Sequence, residues 1–299
     1  MRQLPRHSRL PGYLLTAAMV VGASLVASLA GAADVQLYEV KVPLKGTTEA
    51  DRVAALGEAM KAVAVRVSGR NDASANATVA GADPARYVQR YVAGADRTLT
   101  VGFDGASVER LLQQAGLTFW AAERPLTLVD IATEDRGAAI EAAERRGLPI
   151  AWQSGAVTTG PGQAVLRGTA NGGQFDWSFS HGGETVPGRG TLADGINLAA
   201  DALAARYAPP SSRETSSLVL RVGGAGDLRH YMGVLDYLES LSLVRRVEVE
   251  ALEGDVLRLR VTVRGDRDLL GRVAALEGKL MPAARGGEAA AVADFVFQP

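Results

Sequence analysis

From residue 257 to 264 apolar and polar side chains alternate without a break: Leu257, Leu259, Val261 and Val263 against Arg258, Arg260, Thr262 and Arg264. Successive side chains of a strand point to opposite faces, so this run demands a sheet with one packed side and one charged side open to water. The elements around it fall into a regular order. Residues 218–222 read as a strand, 228–241 as a helix, 244–252 and 256–263 as two strands joined through Gly254-Asp255, 269–280 as a helix and 291–297 as a last strand. That β-α-β-β-α-β order is the split βαβ arrangement of ferredoxin-like domains, predicted here for residues 218–299.

The rest of the chain reads as further small α/β (α+β) modules in tandem. Within 34–131 a strand opens at 35–44, and Thr48 caps a helix whose Val53, Leu56, Met60, Val63 and Val67 form one apolar stripe ended by Gly69. Residues 71–81 read as a polar loop, and Asp83-Pro84 as the start of a short helix carrying Tyr87, Val88 and Tyr91. A strand at 99–103, a helix at 106–115 and a buried strand at 126–131 complete the module. Residues 132–208 hold a helix at 138–146, short antiparallel strands turned at Asn171-Gly172-Gly173 and His181-Gly182-Gly183, and a helix at 192–207. Ala208-Pro209-Pro210-Ser211-Ser212 cannot continue that helix, which sets a linker at 209–217.

The first 33 residues speak of destination. Arg2, Arg6 and Arg9 precede an apolar run at 13–30, and Ala30-Gly31-Ala32 matches the small-residue cleavage rule, so a signal peptide removed near Ala32 or Ala33 is expected. The alternative is an uncleaved inner-membrane anchor, which this Ala- and Gly-rich run of borderline length suits less well. The chain has no cysteine, which excludes a lipid anchor on that residue, disulfides and thiolate metal sites. All but four of the 32 basic residues are arginine, and the chain beyond the signal is mildly acidic, without the footprint of a nucleic-acid binder.

Candidate chemistry is thin. His7, His181 and His230 are the only histidines, and the motifs H-E-x-x-H, G-x-S-x-G and S-x-x-K are missing from the sequence. Gly223-Gly224-Ala225-Gly226 lies where phosphate loops occur but lacks their pattern and reads as a tight turn. His230 has Asp227 one turn before it, which reads as a helix cap, and His181 as a turn residue. Asp130, Glu134 and Asp135 cluster at the end of a buried strand, where carboxylates can take a ligand or cation. Phe119, Trp120 and Arg124, with Glu123 between them, read either as a core plug or as an interaction patch. Arg258 and Arg260, with Arg245-Arg246 and Arg264, offer a docking face for an acidic partner.

An ordered set of residues resembles a known family. Tyr38-Glu39-Val40-Lys41-Val42-Pro43, Val65-Arg66-Val67-Ser68-Gly69, Tyr87-Val88-Gln89-Arg90-Tyr91, Phe103-Asp104, Leu111-Leu112, Gly116-Leu117, Trp120 and Arg124-Pro125-Leu126-Thr127-Leu128-Val129 come in sequence. Leu220-Arg221-Val222, Tyr231, Leu235, Leu238 and Val247 extend the likeness. Together they resemble the bacterial exported proteins grouped as domain of unknown function 2066, although Ala121 replaces an expected glycine. The resemblance implies an envelope location and supplies no activity or site residues.

These readings converge on an exported, periplasmic protein without cofactor that works by contact with envelope proteins, without nucleic acid and without stable membrane insertion after cleavage. The alternative is a small-ligand or carbohydrate-binding protein, with Asp130, Glu134 and Asp135 as carboxylates of a weak hydrolase.

Overall fold

The computed structural model describes residues 32–34, 36–153, 163–283 and 294–298, and the expected signal sequence lies almost wholly outside them. The architecture is mixed α+β, with seven α-helices and four sheets among the described residues.

The first module carries β1 (Ala32–Asp34), β2 (Glu39–Pro43), α1 (Glu49–Ser68), a 3-10 turn and the one-turn α2 (Ala77–Ala80), then β3 (Val88–Ala93), β4 (Thr98–Phe103) and α3 (Gly105–Gln114). Its antiparallel sheet has the order β2-β4-β3. Thr48 and Asp51 close a capping box on α1, and Gly69 ends it in the left-handed region. Leu56, Met60, Val63 and Val67 are buried as the stripe requires, whereas Val53, early in the helix, stays 55% exposed. Two local readings are corrected. Asp83 and Pro84 start only a 3-10 turn, and the segment after it is strand β3, because tertiary pairing with β4 outweighs a weak local helix preference. The stretch 71–81 is not loose, since Asn76 caps α2 and Val79 is buried.

The short β5 (Glu123–Pro125) pairs with β1. Next come β6 (Thr127–Ile131), α4 (Gly137–Arg146), β7 (Ile150–Gln153), β8 (Ala164–Asn171), β9 (Gln174–His181), β10 (Glu184–Gly190) and α5 (Leu192–Tyr207), with a five-stranded sheet ordered β10-β9-β8-β6-β7. The strand expected to close the first module therefore belongs to this second sheet. β6 pairs in parallel with both β7 and β8, and its near-continuous apolar run suits a strand packed on both faces. Both hairpin loops consist of two glycines at positive φ, Gly172-Gly173 and Gly182-Gly183, which lets the turn match the strand twist.

A 3-10 turn at Pro210–Arg213 leads to β11 (Thr215–Gly223), α6 (Leu228–Ser240), β12 (Val244–Glu253), β13 (Val256–Arg264), α7 (Arg267–Ala274), β14 (Leu280–Pro282) and β15 (Phe295–Phe297). The sheet order is β12-β13-β11-β15-β14. β11 pairs antiparallel with β13, as in the ferredoxin-like plan, and parallel with β15. α7 ends earlier than its apolar pattern suggests, and two short strands follow it, the last beside β11. Residues 291–293 of the expected last strand lie outside the described residues.

The stretch 209–217 is no free tether. Ser212 is fully buried and its Oγ accepts from the Phe119 amide at 2.9 Å, while Arg213 donates to the Gly116 carbonyl at 3.2 Å. One continuous apolar cluster runs through all three modules. Among the described residues no helix is long and apolar enough to cross a membrane.

Candidate functional site

Phe119, Trp120 and Arg124 do not form a surface patch: they are 3%, 0% and 0% exposed. The physical reason is a convergence of helix ends. The Arg124 guanidinium lies 3.9 Å over the Trp120 ring and donates to five carbonyls: Arg66 at 2.6 Å, Arg146 and Gly147 at 2.8 Å each, Ala121 at 3.0 Å and Trp120 at 3.2 Å. The Arg66 carbonyl belongs to the last turn of α1, and those of Arg146 and Gly147 to the end of α4. These are orphan acceptors carrying the negative ends of two helix dipoles. A cation there satisfies both at once. Burial pulls the Arg124 pKa well down, and Arg66 and Arg146 add repulsion, so the carbonyls stand in for lost water. Arg146, also fully buried, extends the joint to the Gly69 carbonyl at 2.9 Å, Asn197 at 3.0 Å and Asp201 at 2.6 Å.

A second joint fixes the third module. Glu123 is 4% exposed and accepts from the Ser242 amide at 2.7 Å and its hydroxyl at 2.9 Å. Glu109 on α3 takes the guanidinium of Arg264 at 2.7 Å, that of Arg245, and the Tyr38 hydroxyl at 2.5 Å. Burial, then Glu109, pushes the Tyr38 phenol up. Arg264 also stacks 4.7 Å over Phe119, so it leaves the open sheet face and lies under the first module. These residues join modules and present no open chemistry.

The three candidate carboxylates play separate local parts. Asp130 pairs with Arg167 at 3.3 Å, Asp135 accepts from the Gly137 amide at 3.1 Å at the start of α4, and Glu134 is exposed. Among the described residues no cluster of three His, Cys, Asp or Glu side chains is arranged to hold a metal ion. Asp227 caps α6 through the His230 amide at 2.9 Å and meets the imidazole Nδ1 at 2.6 Å, which is a helix start. Gly224 has φ 86, and the Ala225 amide donates to the Asp255 carbonyl at 2.9 Å, so the glycine run is a tight turn. His181 is 7% exposed rather than a surface turn residue, with Nε2 3.0 Å from the Tyr207 hydroxyl and Nδ1 3.3 Å from the Gln163 carbonyl.

Arg258 and Arg260 do lie on the open face, but both are taken by Glu250, at 2.9 and 2.5 Å. The face is a laced lattice of ion pairs and not a bare basic surface. What the sequence patterns did not bring out is its margin. Among the described residues β12, ten residues long, pairs only with β13 and forms an edge of the sheet. Val249 and Leu252 on it are 43% and 50% exposed, and Leu228 and Met232, one turn apart on α6 which packs beside it, are 76% and 44% exposed. An unpaired strand edge flanked by apolar side chains is a docking element, and two register shifts and its charges guard it against indiscriminate pairing. Edge status depends on which strands pair, and that is settled between distant segments.

Residues 32–121, which span the first module, match a family model described as Domain of unknown function (DUF8605). The resemblance to domain of unknown function 2066 is therefore corrected: the apolar spacing and Trp-Arg-Pro region that suggested it belong to a chain whose matching model is a different one. No curated protein and no solved structure matches the chain.

Proposed function

We propose that the protein is exported to the periplasm and acts there by binding another envelope protein, using the open edge of β12 and the neighbouring side of α6. The observation that carries the contact is the coincidence, among the described residues, of an unpaired strand edge with exposed Val249, Leu252, Leu228 and Met232. A partner strand laid along β12 gains backbone hydrogen bonds from the edge and side-chain pockets from the apolar residues. Arg246 and Glu248 on the same strand pair with each other at 2.6 Å, so a docking strand meets both signs of charge beside the apolar side chains. Support for export is the basic, apolar and small-residue order of the first 33 residues.

The test has two arms. N-terminal sequencing of the protein recovered from the cell envelope is expected to begin at Ala33 or Asp34; an intact Met1 start there overturns cleavage. A photo-crosslinker at position 249 or 252 is expected to trap one defined protein in the periplasm. The same probe at the exposed Glu134 should not trap it, and Leu252→Glu with Met232→Glu should abolish the adduct while leaving the thermal midpoint in place. Identical adducts from all three positions, or none, would sink the contact.

A further inference from the structure

Most arginines near the interior of this protein have an acceptor. Arg124 has five carbonyls, Arg146 has Asp201, Arg245 and Arg264 share Glu109, and Arg258 and Arg260 share Glu250. Arg206 on α5 and Arg272 on α7 both line a cavity of about 590 Å³ that is also walled by Tyr207, Leu276 and Phe295. Among the described residues neither forms an ion pair, and the Nε of each is buried without a hydrogen-bond partner. Asp268, one turn before Arg272 on α7, makes no bridge to it, and Asp294 at the rim is taken by Arg267 at 3.1 Å and Arg221 at 3.6 Å. Burial pushes the Tyr207 phenol up, while the charges of Arg206 and then Arg272, and a side-chain hydrogen bond with Arg206, act against it.

Two guanidinium groups on one partly apolar cavity carry the same charge, and their buried Nε–H groups cost free energy while unpaired. A fork-shaped guanidinium matches a carboxylate or phosphate oxygen pair, and an oxyanion reached by both supplies the missing acceptors and a counter-charge. The apolar wall of Leu276 and Phe295 leaves room for a hydrocarbon portion beside that head. We propose that the cavity between α5, α7 and β15 binds a small organic oxyanion, a carboxylate or phosphate monoester on a short apolar group, between Arg206 and Arg272. This site is separate from the β12 edge and stands or falls without it.

Isothermal titration of the full-length protein with hexyl phosphate and with hexanoate tests the proposal. Saturable binding of at least one is expected, weakened about ten-fold or more in Arg206→Gln and in Arg272→Gln. Inorganic phosphate, lacking the apolar group, is expected to bind more weakly, and hexanol not at all. Which probe binds decides between a carboxylate and a phosphate head. Arg206→Lys and Arg272→Lys keep the charge without the fork, so a partial loss there secures the result if a glutamine variant does not fold. The proposal is overturned if neither anion saturates, if hexanol binds as well, or if the variants bind as the parent does.

Discussion

At the scale of single residues, burial separates structural from surface roles. Trp120 and Arg124 stand in the chain as a pair that fits an exposed hot spot as well as a core plug, because residue type alone carries no information on depth. What decides is that the ends of α1 and α4 meet at that point, and their C-terminal carbonyls require a donor. His181 illustrates the same limit. Two flanking glycines mark the turn, but only the fold brings Tyr207 and the Gln163 carbonyl to its ring nitrogens. Burial, opposed by the Gln163 contact and assisted by Arg206, with Glu184 acting against it, holds the imidazole below its ordinary pKa. The unfolded chain therefore binds the proton more readily than the folded one. Stability is complete above about pH 6.5 and is lost as the pH falls through that value toward the lower folded one. Urea midpoints at pH 7.5 and 5.5 should show this loss, and His181→Gln should show a smaller one; equal losses would remove His181 as the cause.

Among elements, local chemistry was legible wherever the signal was local. The capping box at Thr48, the glycine hairpins and the alternating strand β13 form from adjacent residues, and each stands where the pattern places it. The departures among the strands are cases of distant pairing. β3 becomes a strand because β4 is beside it, and β6 joins β7 and β8 instead of the first sheet. Gly195 on α5 shows packing overruling propensity. Alanine in a helix interior gains about 1 kcal/mol over glycine, but a Cβ here would stand 2.4 Å from the Trp177 ring. Overpacking costs about 1–3 kcal/mol, so Gly195→Ala should lower the thermal midpoint. A rise would show that Trp177 yields freely.

Over the whole molecule, the three modules are expected to unfold together, because the polar joints between them are buried. Glu109 holds Arg245, Arg264 and Tyr38 at one carboxylate. Glu109→Gln leaves two guanidinium groups facing each other, and breaking such a pair costs about 3 kcal/mol. Calorimetry should show a lower midpoint, with the third module melting ahead of the others; an unchanged single transition would mean that the apolar cluster alone couples them. The order of β13 and its neighbours was legible from alternation, but no spacing rule links Glu109 to Arg264, so the joints and the open edge of β12 stayed hidden in the sequence. The link between Glu123 and Ser242 spans 119 positions. A chain made from its N-terminus thus holds a carboxylate whose Ser242 partners follow only after the whole second module and the first strand and helix of the third. The clasp is a clock: this joint closes only once the third module has begun to form.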